Sequence, residues 1–116
     1  LFHRPRIISY EKVIEKLVTN RESDIDVIPT IIPNWDHTPR SGMGGTVIIK
    51  SSPSLFKKHV LDVLNIIEKK PADSRLVFLK SWNEWGEGNY MEPDLIWGNQ
   101  YLDTVKELVL KYKKEL

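Results

Sequence analysis

Two short apolar runs, set between stretches with helical periodicity, constrain the fold of this chain most strongly. The runs "IDVIPTIIP" (residues 25–33) and "RLVFL" (residues 75–79) are rich in apolar residues, and the first is rich in β-branched ones. Such runs are typical of strands that are covered on both faces, as in a parallel sheet. Pro29 counts against a regular strand at its own position, because proline cannot donate to a strand ladder.

Three amphipathic segments surround these runs. Apolar residues recur in each segment at intervals of three and four, which predicts helices with one buried face. Ser9 is a candidate cap for the first helix, and Ser52 followed by Pro53 is a cap and first-turn pair for the second. The predicted helices run from the cap at Ser9 to near residue 20, from the cap at Ser52 to just before Pro71, and from about Tyr101 into residues 111–116; residues 46–50 ("TVIIK") are predicted to be extended.

The order helix, strand, helix, strand, helix predicts an α/β fold with parallel strands and right-handed crossovers. Two buried strands do not form a stable parallel sheet alone, so we expect further βα units on the N-terminal side. Residues 1–116 would then be the C-terminal part of a single (β/α)8 catalytic domain of about 250 residues. The start at Leu1 instead of Met fits a piece of a longer protein. An open doubly wound sheet is the alternative. Expressed alone, the segment is expected to be poorly folded.

Composition excludes several classes of function. Lys and Arg number 17 and Asp and Glu number 16, so the net charge of +1 provides no basic surface for nucleic acid. No apolar run approaches the ~18 residues of a membrane span. The chain has no cysteine and therefore no thiolate metal site, which is compatible with both cytosol and periplasm. We expect no nucleic-acid partner, no membrane span in this segment, no metal and no cofactor.

Two loops rich in polar and aromatic residues follow the predicted strands, "PNWDHTPR" (residues 33–40) and "SWNEWGEGNYMEPD" (residues 81–94). In parallel α/β folds, the loops at the C-terminal ends of the strands form the ligand site. Both loops are therefore expected to open on the same face of the molecule.

Glu84 and Glu87 are the candidate catalytic residues. Their spacing, with Gly86 and Gly88 allowing sharp turns, can bring two carboxylates to one side of a cavity. Paired carboxyl groups are the usual apparatus of glycoside cleavage. Neighbouring tryptophans would desolvate one carboxyl, keep it protonated near neutrality and stack on a sugar ring. The alternative is a solvated loop whose glutamates cap a helix or pair with lysines.

The first loop offers groups that could orient sugar hydroxyls, namely Asp36, His37 and Arg40, with Trp35 as a stacking platform. In the alternative interpretation, which we prefer for His37, Asp36 makes an Asx turn and Arg40 pairs with a nearby acidic residue. A metal site formed by Asp36, His37, Glu84 and Glu87 would lack a second histidine at ligand spacing. The residues expected to contact substrate are Trp35, Asp36, Arg40, Trp82, Asn83, Trp85, Tyr90 and Glu92.

Two further features have weaker functional interpretations. The stretch "SGMGG" (residues 41–45) is similar to a phosphate-binding loop only loosely, since no Lys-Ser/Thr pair follows it and no strand comes directly before it. Tyr90, Trp97 and Tyr101 are also typical of residues that pack beneath a loop.

The two loops together resemble the WbsX-like proteins of bacterial polysaccharide gene clusters, which are related to glycoside hydrolase family 99. In family 99, the motif Glu-Trp-His-Glu-Gly is followed after three residues by Glu-Pro. The other loop of the family has a proline, an aromatic residue, a threonine and an arginine. The matching residues here are Glu84, Trp85, Glu87, Gly88, Glu92 and Pro93, and in the first loop Pro33, Trp35, Thr38 and Arg40.

The resemblance implies a (β/α)8 barrel that acts on α-mannose-type glycans with retention and without metal. It assigns Glu84 the role of the base that deprotonates the sugar 2-hydroxyl, which then attacks the anomeric carbon. It assigns Glu87 the role of the acid for the leaving oxygen and later of the base for water. Gly86 stands where the hydrolases have His, and Trp35 where they usually have Tyr; both changes fit the WbsX-like branch.

The leading expectation is therefore a retaining glycoside hydrolase whose partner is an oligosaccharide or polysaccharide substrate. Members of the WbsX-like branch are often labelled glycosyltransferases, so transfer of a sugar in lipopolysaccharide, O-antigen or capsule biosynthesis is an alternative. A non-catalytic sugar-binding protein is another. A cytoplasmic location fits biosynthesis, and a periplasmic one fits glycan degradation.

Overall fold

The structure, a computed structural model, describes residues 4–114. Short strands and amphipathic helices form a mixed α/β arrangement. In chain order the elements are β1 (Arg6–Ser9), α1 (Tyr10–Leu17), β2 (Thr30–Ile31), α2 (Thr38–Ser41), β3 (Thr46–Ile49), α3 (Pro53–Ile67), β4 (Phe78–Leu79), β5 (Asn83–Glu84), β6 (Asn89–Tyr90) and α4 (Gln100–Lys114).

The strands of residues 4–114 associate in pairs. β1 and β3 are parallel, with Ile7 opposite Val47, and β2 and β4 are parallel, with Thr30 opposite Phe78. β5 and β6 form a short antiparallel hairpin. The predicted parallel pairing of strands that alternate with amphipathic helices is confirmed, whereas the complete barrel stays a prediction.

The second predicted helix agrees with the structure. The Ser52 hydroxyl accepts a hydrogen bond from the Leu55 amide at 3.3 Å, and Pro53 is the first residue of α3. The helix ends at Ile67, before Pro71. The last helix, α4, begins one residue earlier than predicted, at Gln100.

The first helix is shorter than predicted and follows a strand that the sequence did not reveal. α1 begins directly after Ser9, as expected, but ends at Leu17 instead of near residue 20. The reason is that Thr19 and Glu22 form the capping box of a separate 3-10 turn. β1, with the sequence "RIIS", was not predicted; a four-residue strand has too short a pattern to be recognised without its partner β3.

The predicted strand at residues 25–33 is mostly wrong, because only Thr30–Ile31 has strand geometry. The backbone carbonyls of Asp24 and Val27 accept hydrogen bonds from the buried Lys70 ammonium group, at 2.7 and 2.6 Å, instead of joining a ladder. Pro29 lacks an amide proton. Side-chain bonding to the backbone therefore replaces strand pairing over the first half of this run.

The second predicted strand, at residues 75–79, is also reduced, to Phe78–Leu79. Arg75 ends a 3-10 turn and donates from Nε to the Lys70 carbonyl at 2.8 Å. Leu76 and Phe78 are 55% and 61% exposed, so the expectation that both faces of this strand are covered is wrong for the described residues. Within residues 4–114, β4 has a partner strand on one side only.

The core lies between the inner faces of α1, α3 and α4 and the parallel strands. The Tyr10 hydroxyl is buried and donates to the Ile32 carbonyl at 2.6 Å, which fixes α1 against the segment that leads into the first loop. The buried apolar residues are Tyr10, Ile14, Ile31, Ile32, Ile48, Phe56, Val60, Val63, Ile67, Met91, Tyr101 and Leu108.

Candidate functional site

The Glu87 carboxylate is the centre of the polar contacts between the two loops. The Trp35 indole Nε1–H donates to Glu87 Oε2 at 2.8 Å. His37 Nδ1 lies 3.2 Å from Glu87 Oε1, and Arg40 Nε lies 2.5 Å from the same oxygen. The Glu87 side chain is only 12% exposed. Both carboxylate oxygens are therefore held by side chains of the first loop.

The backbone of the first loop is shaped to present these side chains. Asp36 Oδ1 accepts from the Thr38 amide at 2.9 Å and from the Thr38 hydroxyl at 2.5 Å, which starts the short helix α2. The His37 amide donates to the Thr46 carbonyl at 2.9 Å. A Cβ on Gly45 would lie 3.0 Å from the His37 backbone, so this close approach requires glycine. The loop is thus anchored along β3.

The second loop is a hairpin around the tight turn at residues 85–87. Gly88 ends this turn in the left-handed region, with φ of 57°. Asn89 is fully buried, and its Oδ1 accepts from the Ser81 amide at 2.7 Å. A backbone bond from the Asp36 amide to the Glu87 carbonyl, 2.7 Å long, joins the two loops. The prediction that both loops open on the same face is confirmed by these contacts.

Glu84 lies near the same arginine but is more exposed. Arg40 Nη2 is 3.5 Å from Glu84 Oε1, and the Glu84 side chain is 39% exposed. One guanidinium group therefore bridges the two predicted catalytic glutamates. A Cβ on Gly86 would lie 3.1 Å from Glu84 Oε1, so a side chain at position 86 requires the Glu84 carboxylate to move.

The pKa of Glu87 is shifted in the direction opposite to the expected one. The hydrogen bond from Trp35, followed by the contact with His37 and the charge of Arg40, lowers the pKa of Glu87 below its ordinary value of 4.5 and outweighs the opposing effect of desolvation. The expectation that tryptophan would desolvate a carboxyl and keep it protonated is wrong here, because Trp35 presents its polar N–H to the carboxylate instead of its apolar face.

The aromatic residues of the second loop are accessible. Trp85 and Tyr90 stack with ring centroids 3.7 Å apart and an interplanar angle of 11°. Trp82 and Trp85 are 53% and 48% exposed. The Tyr90 hydroxyl donates to Asp94 Oδ2 at 2.9 Å, which ties the stacked pair to the loop that precedes α4.

The remaining predicted contacts have different surroundings. Trp35 is half-buried against the core, with the Lys80 ammonium group 5.3 Å from its ring centroid. Asn83 is exposed in β5, and Glu92 is half-buried. Trp97 is half-buried and Tyr101 is buried in the core. The structure thus brings Trp35, Arg40, Glu84 and Glu87 together, while their roles toward a substrate stay predictions.

Asp36 and Arg40 make the contacts within the protein that were predicted as the alternative to contacts with a sugar. Asp36 makes the turn with Thr38, and Arg40 pairs with acidic residues. The contact of His37 with Glu87 was missed, because the two residues are separated by 50 positions and neither position has a pattern that links them. Only the shared face of the two loops indicated that such a contact was feasible.

A cavity of 170 Å³ lies between the two loops, and residues of both loops line it. Tyr90 and Asp94 contribute polar groups to the lining, and Asn34 Oδ1 is a buried atom without a hydrogen-bond partner among the described residues. The lining residues are Pro33, Asn34, Ser51, Gly88, Tyr90, Asp94, Ile96, Trp97 and Tyr101.

Residues 4–114 contain no cluster of three or more His, Cys, Asp or Glu side chains arranged to hold a metal ion. The Glu87 oxygens already bind Trp35, His37 and Arg40, so this geometry does not support a metal site that includes Glu87 and His37. In the same part of the chain, no helix combines the length and the apolar character needed to cross a bilayer.

Comparison with known proteins identifies the family. The profile of the family described as Glycosyltransferase WbsX matches residues 2–105. The chain belongs to the WbsX family. The predicted resemblance to the WbsX-like proteins is thus confirmed.

Two curated relatives come from Xanthomonas campestris pv. campestris, strains B100 and ATCC 33913, and both are described as "Uncharacterized protein WxcX". Each is 30% identical to the chain over 89 residues, which is 76% of this chain and 13% of the relative. The chain therefore spans about one eighth of the length of these relatives. No solved structure matches the chain.

Proposed function

We propose that this WbsX chain carries the catalytic glutamates of a retaining glycoside hydrolase that acts on α-mannoside-type glycans or a bacterial polysaccharide. The observation that carries the proposal is the bridge of Arg40 between Glu84 and Glu87, at 3.5 and 2.5 Å. Paired carboxylates at the C-terminal ends of parallel strands are the arrangement that glycoside cleavage uses. The exposed rings of Trp82 and Trp85 give apolar surfaces on which sugars stack.

The proposed reaction has two steps. In the first, Glu84 takes the proton of the sugar 2-hydroxyl, this oxygen bonds to the anomeric carbon, and the glycosidic bond breaks as Glu87 gives a proton to the leaving oxygen. In the second, Glu87 takes a proton from water, the water oxygen bonds to the anomeric carbon, and the bond from that carbon to the 2-oxygen breaks as Glu84 returns its proton to the 2-oxygen. Two displacements at one carbon give net retention.

The charges around Glu87 favour the ionised carboxylate, which is the form that the second step requires. A carboxylate with a lowered pKa is ionised near neutrality and can accept a proton from water. The first step needs the protonated form of Glu87. The proton for that form has to come from a neighbouring group or from solvent.

We further propose that residues 1–116 are the C-terminal part of a (β/α)8 catalytic domain in a longer protein. Ile7 on β1 and Phe78 on β4 are each 61% exposed, and Leu76 is 55% exposed. Apolar side chains on strands normally lie under helices in α/β folds. Further βα units that pair with β1 and β4 would bury these side chains and complete the face on which the site lies.

The description of the family as a glycosyltransferase favours a second candidate, transfer of a sugar to a glycan acceptor. The same two carboxylates would serve, with an acceptor hydroxyl in place of water. A third outcome, sugar binding without turnover, would use Trp82 and the stacked pair of Trp85 and Tyr90 alone.

The experiment uses the full-length protein that contains this segment. It is incubated with α-mannoside oligosaccharides and with the polysaccharide of its own organism, and the products are followed by proton NMR. A new reducing end that first appears as the α-anomer supports a retaining hydrolase. Glycosidic bonds formed only when an acceptor is added support transfer, and binding without any product supports the sugar-binding alternative. Either of the last two results would overturn the proposal.

A further inference from the structure

We propose that His37 acts through Glu87 as a proton partner, giving a proton to the carboxylate before glycosidic cleavage and taking it back afterwards. The inference rests on the proposed function of Glu87 and adds a residue to it. His37 Nδ1 is 3.2 Å from Glu87 Oε1, close enough for a direct hydrogen bond. An imidazole ring nitrogen can both donate and accept a proton.

The proton can occupy either side of this contact. In one form, Glu87 is a carboxylate and the His37 imidazolium donates from Nδ1 to Oε1. In the other, the proton is on Oε1 and is donated to Nδ1 of a neutral imidazole whose remaining proton is on Nε2. One proton moves between the two atoms, and the total charge of the pair is unchanged.

The other contacts of Glu87 explain why such a partner is needed. Trp35 donates to Oε2, and Arg40 lies on Oε1 as a permanent cation, so both favour the ionised carboxylate. Neither residue can hand over a proton near neutrality, because the indole N–H and the guanidinium both have far higher pKa values than imidazole. His37 is thus the contacting group that can supply one.

His37 is also more accessible to water than Glu87. The Glu87 side chain is 12% exposed, whereas the His37 side chain is 34% exposed. The imidazole therefore lies between a nearly buried carboxyl group and solvent. Its ring also lies 5.2 Å from the Trp35 ring, which supports its orientation.

Other charged groups lie near His37 and Glu87, and a titration of the two residues must be distinguished from their effects. Glu84 faces Arg40 at 3.5 Å, Asp36 lies beside His37 in the loop, and the Lys80 ammonium group lies over the Trp35 ring.

The first test needs no enzymatic activity. In full-length protein labelled with 15N in tryptophan and histidine, the Trp35 indole resonance, assigned with Trp35→Phe, is followed against pH together with the His37 imidazole. We expect the indole to move in two steps, one at the midpoint of His37, because a coupled pair titrates as a unit. In His37→Gln, the step at the His37 midpoint is expected to vanish and the carboxylate step to remain. An indole that moves identically in both proteins would overturn the inference.

The second test compares leaving groups. The glutamine amide in His37→Gln can still donate to Glu87 but cannot ionise. We expect kcat to fall about tenfold to hundredfold on an unactivated α-mannoside and to stay near wild type on α-mannosyl fluoride, whose departure needs little acid assistance. Unchanged kcat on both would overturn the inference, since it would leave His37 only a structural contact. If the wild-type protein has no turnover, the proposed function fails, and the NMR titration alone decides the role of His37.

Discussion

The indole nitrogen of Trp35 donates to Glu87 Oε2 at 2.8 Å, although the two residues are 52 positions apart. This bond joins the loop after β2 to the loop after β4, and it fixes the orientation of the carboxylate while leaving Oε1 for Arg40 and His37. A tryptophan in this position therefore acts through its polar edge.

Replacing Trp35 by Phe keeps an aromatic ring and removes the donor. We expect the pKa of Glu87 to rise toward its ordinary value, because the hydrogen bond that contributes most to lowering it is lost. Carboxyl 13C NMR of the full-length protein measures this change. Trp82→Phe is the matched control, since it alters an exposed ring and leaves the Trp35 bond in place. Equal Glu87 titration in Trp35→Phe and wild type would contradict the role assigned to this bond.

Arg40→Gln removes the cation that bridges the two glutamates. Because Arg40 is 61% exposed, the thermal midpoint is expected to change by less than about 3 °C. The value of kcat/KM on the α-mannoside is expected to fall at least about tenfold, since the orientation of both carboxylates depends on the guanidinium. Lys57→Gln, which breaks an exposed ion pair with Glu107, serves as the control. A large loss of stability without any kinetic effect would show a purely structural arginine.

Gly86→Ala tests the small residue between the glutamates. The new Cβ would lie 3.1 Å from Glu84 Oε1. Because the backbone at Gly86 does not have positive φ, the turn is expected to keep its conformation and the Glu84 carboxylate to move. We expect a kinetic effect of several-fold with an unchanged thermal midpoint. Gly42→Ala provides the contrast, because φ of 51° makes that site strained although its surroundings are open. A fall in stability at Gly86→Ala without a kinetic change would contradict this account.

The buried residue His59 makes the stability of the fold depend on pH. It is fully buried on α3, and burial lowers its pKa from 6.5 to about 4. The unfolded chain therefore binds a proton at higher pH than the folded chain, so stability is complete above pH 6.5 and is lost as the pH falls toward 4. The loss amounts to about 3 kcal/mol. Denaturant unfolding at several pH values measures it, and His59→Leu is expected to remove this component. Equal pH dependence in wild type and variant would disprove the assignment.

Structural features that depend on neighbouring residues in the chain were predicted correctly. The cap at Ser52 and the apolar stripe of α3 predicted that helix, because a hydroxyl acceptor and a periodic apolar face act within a few residues. The closeness of Glu84 and Glu87 likewise has a local cause, since Glu84 directly precedes the tight turn that ends at Glu87, while their catalytic role stays a prediction. The placement of two loops on one face followed from the parallel order of strands.

What the sequence could not predict depends on contacts between distant residues. The run at residues 25–33 looks like a strand, yet Lys70 occupies the carbonyls of Asp24 and Val27, and no local pattern announces a lysine more than forty positions away. The sign of the pKa shift at Glu87 was likewise missed. It depends on which edge of Trp35 meets the carboxylate, and composition does not encode that orientation.

The most direct test of the central claim, that Glu84 and Glu87 form a catalytic pair, is the initial rate of α-mannoside cleavage by the full-length protein. Wild type is compared with Glu84→Gln, Glu87→Gln and the control Glu107→Gln, which alters an exposed glutamate of α4. We expect each of the first two substitutions to lower the rate at least about a hundredfold, and the control to retain it. Cleavage by wild type that persists in both Glu84→Gln and Glu87→Gln would contradict the account.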